Sequence, residues 1–165
     1  MLIDNVLSTM ETSLNSAMAS GGNYTDNYIQ NTVLRDFKAT DLSRTLGVVS
    51  GIPRFNPEHF EMGQVLLSVL EYNIQIRVLI KNTDSNQART ERDTLLHRII
   101  REMHRDPGTY GDLKVLSETL DGVTQRFYHL KPTRTDDTFG KEENSPVWYY
   151  IAYAEYQVAV EYEVI

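Results

Sequence analysis

The side chains able to hold a metal or move a proton are few in kind and widely spread along this chain. Four histidines occur, His59, His97, His104 and His129, and there is no cysteine. His97 and His104 are seven residues apart, which on a helix places them about two turns apart on one side. A zinc site needs ligands about one turn apart plus further His, Cys or carboxylate partners, and the position between these two is a cation, Arg101. Solvated or half-buried helix histidines are therefore expected, with no metal and no cofactor. Lack of cysteine removes disulfide staples, thiolate-bound zinc and thiol nucleophiles.

The 23 acidic residues leave room for a carboxylate pair of the glycosidase kind, but no spacing singles out two of them. Asp136-Asp137 and Glu142-Glu143 lie in a polar stretch and fit no calcium-loop spacing. Phosphate-binding, nucleophile-elbow and zinc-protease motifs are missing from the sequence. Gly21-Gly22 follows a helical pattern and opens none, so it is no phosphate cradle. The expectation is a protein that is not an enzyme.

Charge offers a different use for these side chains. The chain carries a net charge of -7, yet Arg89, Arg92, Arg98, Arg101 and Arg105 concentrate positive charge on one segment. Two readings stand: a solvated helix face with local Glu partners, or electrostatic docking onto the acidic face of an identical neighbour, which favours head-to-tail rings. Arg89, Arg92, Arg98 and Arg101, with Asp136, Asp137, Glu142 and Glu143, are the candidate protein-interface residues. Trp148, Tyr149, Tyr150, Tyr153, Tyr156 and Tyr162 cluster near the end of the sequence. Stacking on single-stranded nucleic acid would need basic neighbours; these have glutamates, which suits a core or a protein interface. An acidic surface repels DNA, and like charge lets such a polymer pass without sticking.

The elements that must carry these groups follow from periodicity. Ile3, Val6, Leu7, Met10, Leu14 and Met18 give a helical stripe over 2–18. Residues 85–104 give a second, with Leu95, Leu96, Ile99, Ile100 and Met103 apolar, a cap at Asp84 or Ser85, and a stop at Asp106-Pro107-Gly108. Period-two alternation marks strands over 61–81 and 147–165. From Val65 to Leu70 both faces are apolar, so cover on both sides is expected there. Residues 113–131 read as a hairpin around Asp121-Gly122, a turn in which both residues need positive φ. Residues 19–60 read as an irregular insertion, with short strands around Thr32–Lys38 and Thr45–Val49 and turn signals at Ser50-Gly51-Ile52-Pro53 and Pro57. Residues 132–146 read as a polar loop. Nineteen extended residues reach roughly 60 Å, against a diameter near 40 Å for a compact chain of about this size, so the last strand must bend, bulge, break or project.

The totals agree with one α+β domain over 1–165: a small mixed, mainly antiparallel sheet flanked by two helices, with long strands and extended loops. With 41% hydrophobic and 24% charged residues the chain can bury a core. No apolar run approaches the roughly 18 residues of a membrane span, the first ten residues lack the basic cluster of a signal peptide, and the Asn23-Tyr24-Thr25 sequon then carries no weight.

The order of elements resembles the tail terminator and neck family of tailed bacteriophages. The residues that carry the resemblance are Glu71-Tyr72-Asn73-Ile74-Gln75-Ile76-Arg77-Val78, the Arg-rich helix from Arg89 to His104, the turn Asp106-Pro107-Gly108-Thr109-Tyr110-Gly111-Asp112-Leu113, the following hairpin, and Tyr156-Gln157-Val158-Ala159-Val160-Glu161-Tyr162. It spans roughly residues 60–165. The resemblance implies a virion structural protein, assembled in the host cytoplasm, whose copies form a hexameric ring. That ring caps the tail tube protein, ends its polymerisation and meets a head-side connector or stopper protein, with DNA passing through the lumen and no membrane involved. Alternatives are another neck or head-completion protein, a tube-like subunit, or a small ligand-binding module or hydrolase.

Overall fold

The computed structural model describes residues 2–18, 44–50, 54–55 and 66–164. Along the chain run α1 (Leu2–Met18), β1 (Arg44–Ser50), β2 (Arg54–Phe55), β3 (Leu66–Asn82), α2 (Ser85–His104), α3 (Thr109–Leu113), β4 (Ser117–Leu120), β5 (Val123–Lys141) and β6 (Trp148–Val164). The strands form one sheet in the order β1-β3-β6-β5-β4, with β2 also paired to β3. Every pairing among the described residues is antiparallel. The fold is α+β. The expected strand at 32–38, the turn signals at 51–53 and 57, His59, the sequon and most of the 19–60 insertion lie outside the described residues.

The core lies between one face of this sheet and the helices. Tyr72, Ile74, Ile76, Val78 and Ile80 of β3 and Tyr150, Ala154, Tyr156, Val158 and Val160 of β6 pack with Leu2, Val6, Met10, Leu14 and Met18 of α1 and with Ala88, Leu95, Ile99 and Met103 of α2. Even-numbered residues of β3 and β6 thus face the helices, because successive side chains alternate across a strand. Both long helices sit on this face. α1 touches β5 and β1, so it crosses the sheet; the Leu2 N–H donates to Gln125 Oε1 at 3.2 Å at its start. α2 follows β6: Ser85 Oγ meets Tyr150 Oη at 2.8 Å, and His104 Nε2 meets Tyr156 Oη at 3.3 Å. Its N-terminus is capped by Asp84, whose carboxylate accepts from the N–H groups of Asn86 and Gln87 at 3.0 and 3.1 Å.

β3 and β6 pair without a register shift from Leu66↔Val164 to Asn82↔Trp148. β5 pairs with β6 over nearly the same length and absorbs the mismatch in two register shifts, Phe127/His129 and Pro132/Arg134. The last strand, expected to bend, bulge, break or project, shows no bulge in its pairing with β3; the irregularities fall in β5, for which none was expected. At the β4–β5 turn Asp121 has φ 52° and Gly122 φ 77°, the two positive values that the Asp-Gly signal requires.

Two expectations need correction. Residues 132–146 are not a loop: β5 runs on to Lys141, and only 142–147 reverse the chain. The stretch lacks alternation because residues 131–139 are exposed on both faces, so neither face selects apolar side chains. Pro132 sits at the second register shift, a place where strands accept proline. The hairpin also begins later than Leu113. Thr109–Leu113 form α3, with Thr109 and Leu113 buried, while Val115 is exposed and β4 starts at Ser117. Val69 is buried, in line with double cover there; the neighbouring 65–68 side chains lie outside the described set.

Candidate interaction surface

Of the residues expected at an interface, the structure brings two together. Arg92 is only 8% exposed. Its Nη1 donates to Asp137 Oδ2 at 2.6 Å, and its Nε and Nη2 donate to Asp93 Oδ1 at 2.9 and 2.8 Å. The guanidinium lies 5.2 Å from the centre of the Tyr150 ring, and Phe139 stacks on that ring at 5.4 Å. Arg92 thus fastens α2 to β5 and β6 within the chain and does not belong to a solvated Arg face. The signal lies in the spacing. Position 92 falls within the buried stripe formed by Ala88, Leu95, Ile99 and Met103, so a cation placed there must find partners inside. Glu102, 2% exposed, is the second charge buried on α2, and Arg105 Nη1 donates to it at 2.7 Å.

The other expected residues are dispersed. Arg89 and Arg101 are exposed on α2, and Arg98 is half-buried. Glu142 pairs with Lys81 at 2.7 Å. Glu143 is exposed in the turn. Asp136 lies on the sheet face away from the helices, opposite Tyr153.

That far face carries a polar network that no motif announced. Gln75 Nε2 donates to Glu155 Oε2 at 3.3 Å, and Gln75 Oε1 accepts from Arg77 Nε and Nη2 at 3.1 and 2.7 Å. Arg134 Nε donates to Glu155 Oε2 at 3.4 Å, and Tyr153 Oη donates to Asp136 Oδ2 at 3.0 Å. Gln157 Nε2 donates to Glu71 Oε2 at 2.8 Å. The N–H of Asp137, then the Tyr153 hydroxyl, hold the Asp136 carboxyl below its usual range; the same bond pushes the Tyr153 phenol up. A shallow cavity of about 400 Å³ opens between Gln75, Arg77, Asp136, Thr138, Ile151 and Tyr153. Strand pairing creates these contacts, since Gln75 stands opposite Glu155 only in the β3–β6 register, which is invisible in either strand alone.

Among the described residues, β5 has one edge that no strand covers beyond Arg126. β4 pairs with it only over Val123–Arg126, whereas β6 pairs with its other side to Lys141. Phe139 is 61% exposed, and Tyr128 and Leu120 are also exposed large apolar groups. Among the described residues no group of three or more His, Asp or Glu side chains is placed to hold a metal ion, and no helix is long and apolar enough to cross a membrane. Set against protein-family models and against curated proteins, the chain matches none. Among the described residues, fold and surface define an α+β protein with an antiparallel sheet, both long helices on one of its faces, and a polar far face.

Proposed function

We propose that this chain is a structural subunit of a tailed-phage virion, a tail terminator whose copies close into a ring on the end of the tail tube. The ring ends tube polymerisation by covering the growing end, and it offers its other side to the head-side connector. The mechanism is steric and uses no catalytic residue. The observation that carries the reading is the extent of exposed strand: three strands of 17 to 19 residues, one with an edge that no described strand covers beyond Arg126, beside an ordered polar face. Such edges and faces are the usual sites of strand addition and of polar contact between subunits. The order of helix, strand, Arg-rich helix, hairpin and closing strand supports it further. The acidic balance suits a lumen through which DNA moves without binding.

The test is negative-stain electron microscopy across a concentration series, with native mass measured in parallel and tail tubes added. Closed rings, or rings that form on tube tips, are the expected result. Long stacked tubes would assign the chain to the tube itself. A monomer that leaves tubes uncapped would overturn the proposal.

A further inference from the structure

We infer that the shallow cavity of about 400 Å³ on the far face binds a small zwitterion, with its carboxylate on Arg77 and its ammonium group on Asp136. Strand register builds the site in two rows. Arg77 of β3 and Asp136 of β5 both stand opposite Tyr153 of β6, one on each side of it. Leu79 and Thr138 flank Ile151 in the next row. Tyr153 and Ile151, both half-buried, therefore form the floor. The two opposite charges stand on its walls, their Cα atoms two strand spacings or roughly 10 Å apart.

Neither charge is spent on the other. Arg77 is half-buried, and its Nε and Nη2 both donate to one neutral oxygen, Gln75 Oε1, at 3.1 and 2.7 Å. Arg92, Arg105, Arg126 and Arg134 each reach a carboxylate; Arg77 reaches none among the described residues. A guanidinium has five N–H donors, and these two bonds occupy only its side. The end formed by Nη1 and Nη2 keeps a parallel pair of N–H groups, which a carboxylate fills with two bonds. Gln75 is itself fixed, since its Nε2 donates to Glu155 Oε2 at 3.3 Å, so the fork is set before a ligand arrives. Across the floor, the Asp136 carboxylate accepts from the Asp137 N–H at 2.8 Å and from the Tyr153 hydroxyl at 3.0 Å, one bond to each oxygen. An ionised carboxylate accepts about four, which leaves room on both oxygens for an ammonium group. Arg134, two residues along β5, is held by Glu155 at 3.4 Å. A plain anion in this cavity meets Asp136 and a plain cation meets Arg77, whereas a ligand with both charges gains at both walls. Its stem then lies on Tyr153 and Ile151, an apolar floor with a few polar groups set around it. ε-Aminocaproate has this form. So does a lysine at the end of a peptide chain, whose α-carboxylate and side-chain ammonium are equally far apart.

The probe is ε-aminocaproate, followed by saturation-transfer NMR, which reads ligand binding on a monomer and on a ring alike and so is independent of the ring reading. A ligand of this size should bind with a Kd of about 1 mM. Caproate and hexylamine carry one charge each, and glycine carries both too close together to reach both walls; each should bind about fivefold more weakly. Asp136→Asn keeps the shape and drops the charge, so it should weaken ε-aminocaproate about fivefold and leave caproate no weaker. Arg77→Lys keeps the charge but not the fork and should weaken both. Asp136 is exposed, so its variant decides the matter alone if circular dichroism shows that Arg77→Lys does not fold. Binding of Nα-acetyl-lysine, lost in its carboxamide, would assign the site to chain ends that finish in lysine; binding of ε-aminocaproate without Nα-acetyl-lysine would assign it to free zwitterions. No binding at about ten times the expected Kd, caproate as tight as ε-aminocaproate, or wild-type affinity in Asp136→Asn would each overturn the proposal.

Discussion

Replacing Arg92 by alanine separates a side chain that binds a partner from one that holds the fold. Its guanidinium makes three short contacts to two carboxylates and covers the Tyr150 ring, while 8% of the residue is exposed. The Asp93 and Asp137 side chains are themselves 61% and 55% exposed, so water screens the ion pairs and the two together contribute about 1 kcal/mol. The cation over the ring adds about 0.5–1 kcal/mol. Loss of the buried alkyl stem adds roughly another 1 kcal/mol. Arg92→Ala should therefore cost about 2–3 kcal/mol, a fall in Tm on the order of 5–10 °C for a chain of this size. Arg92→Lys keeps the charge but not the fork that reaches both acids, so it should recover little. A double-mutant cycle with Asp137→Ala should give a coupling of about 0.5–1 kcal/mol. The assay is calorimetry with urea unfolding as a check. A Tm within about 2 °C of wild type, together with zero coupling, would refute the fastening role and return Arg92 to the surface.

Two other outcomes follow from particular side chains. Burial pushes the Tyr156 phenol up to about 12 from its ordinary 10.0, so the folded chain holds this proton more tightly than the unfolded one. That contribution to stability is complete below pH 10 and is lost as pH rises from about 10 to 12; Tyr156→Phe should flatten urea stability across this window, and a phenol that titrates with the exposed tyrosines would contradict it. Gly122 has φ 77° and open space where a Cβ would sit, so a new side chain meets no neighbour and the cost is the strain of a left-handed backbone; Gly122→Val should cost about 1–2 kcal/mol by urea unfolding. A neutral result would show that the turn relaxes.

The helices and the two inner strands were legible because each has one face in the core. The α1 stripe from Ile3 to Met18 and the alternation of Tyr72 to Ile80 state their period directly, and the choice between Asp84 and Ser85 as the cap of α2 falls to Asp84. β5 beyond Pro132 was not legible, since a strand exposed on both faces has no period to show. α3 is too short, at 5 residues, for a helical repeat to register. Arg92 was grouped with the other arginines by charge, although its place in the stripe was the better guide. The far-face network could not be read at all, because Gln75, Glu155, Arg134 and Asp136 meet only after three strands have found their registers.

The position of β6 has a consequence for the order in which the molecule can form. It is the last strand in sequence among those described, yet it lies between β3 and β5 and pairs with both along its length. Until residues 148–164 have left the ribosome, β1–β3 and β4–β5 have no strand in common, and the aromatic side chains of the future core have nothing to close against. Folding must then wait for contacts between residues far apart in sequence, a slow kind of closure. A chain made this way cannot join its two strand groups until residues 148–164 have emerged, so any product that stops before them leaves β3 and β5 without the strand that links them.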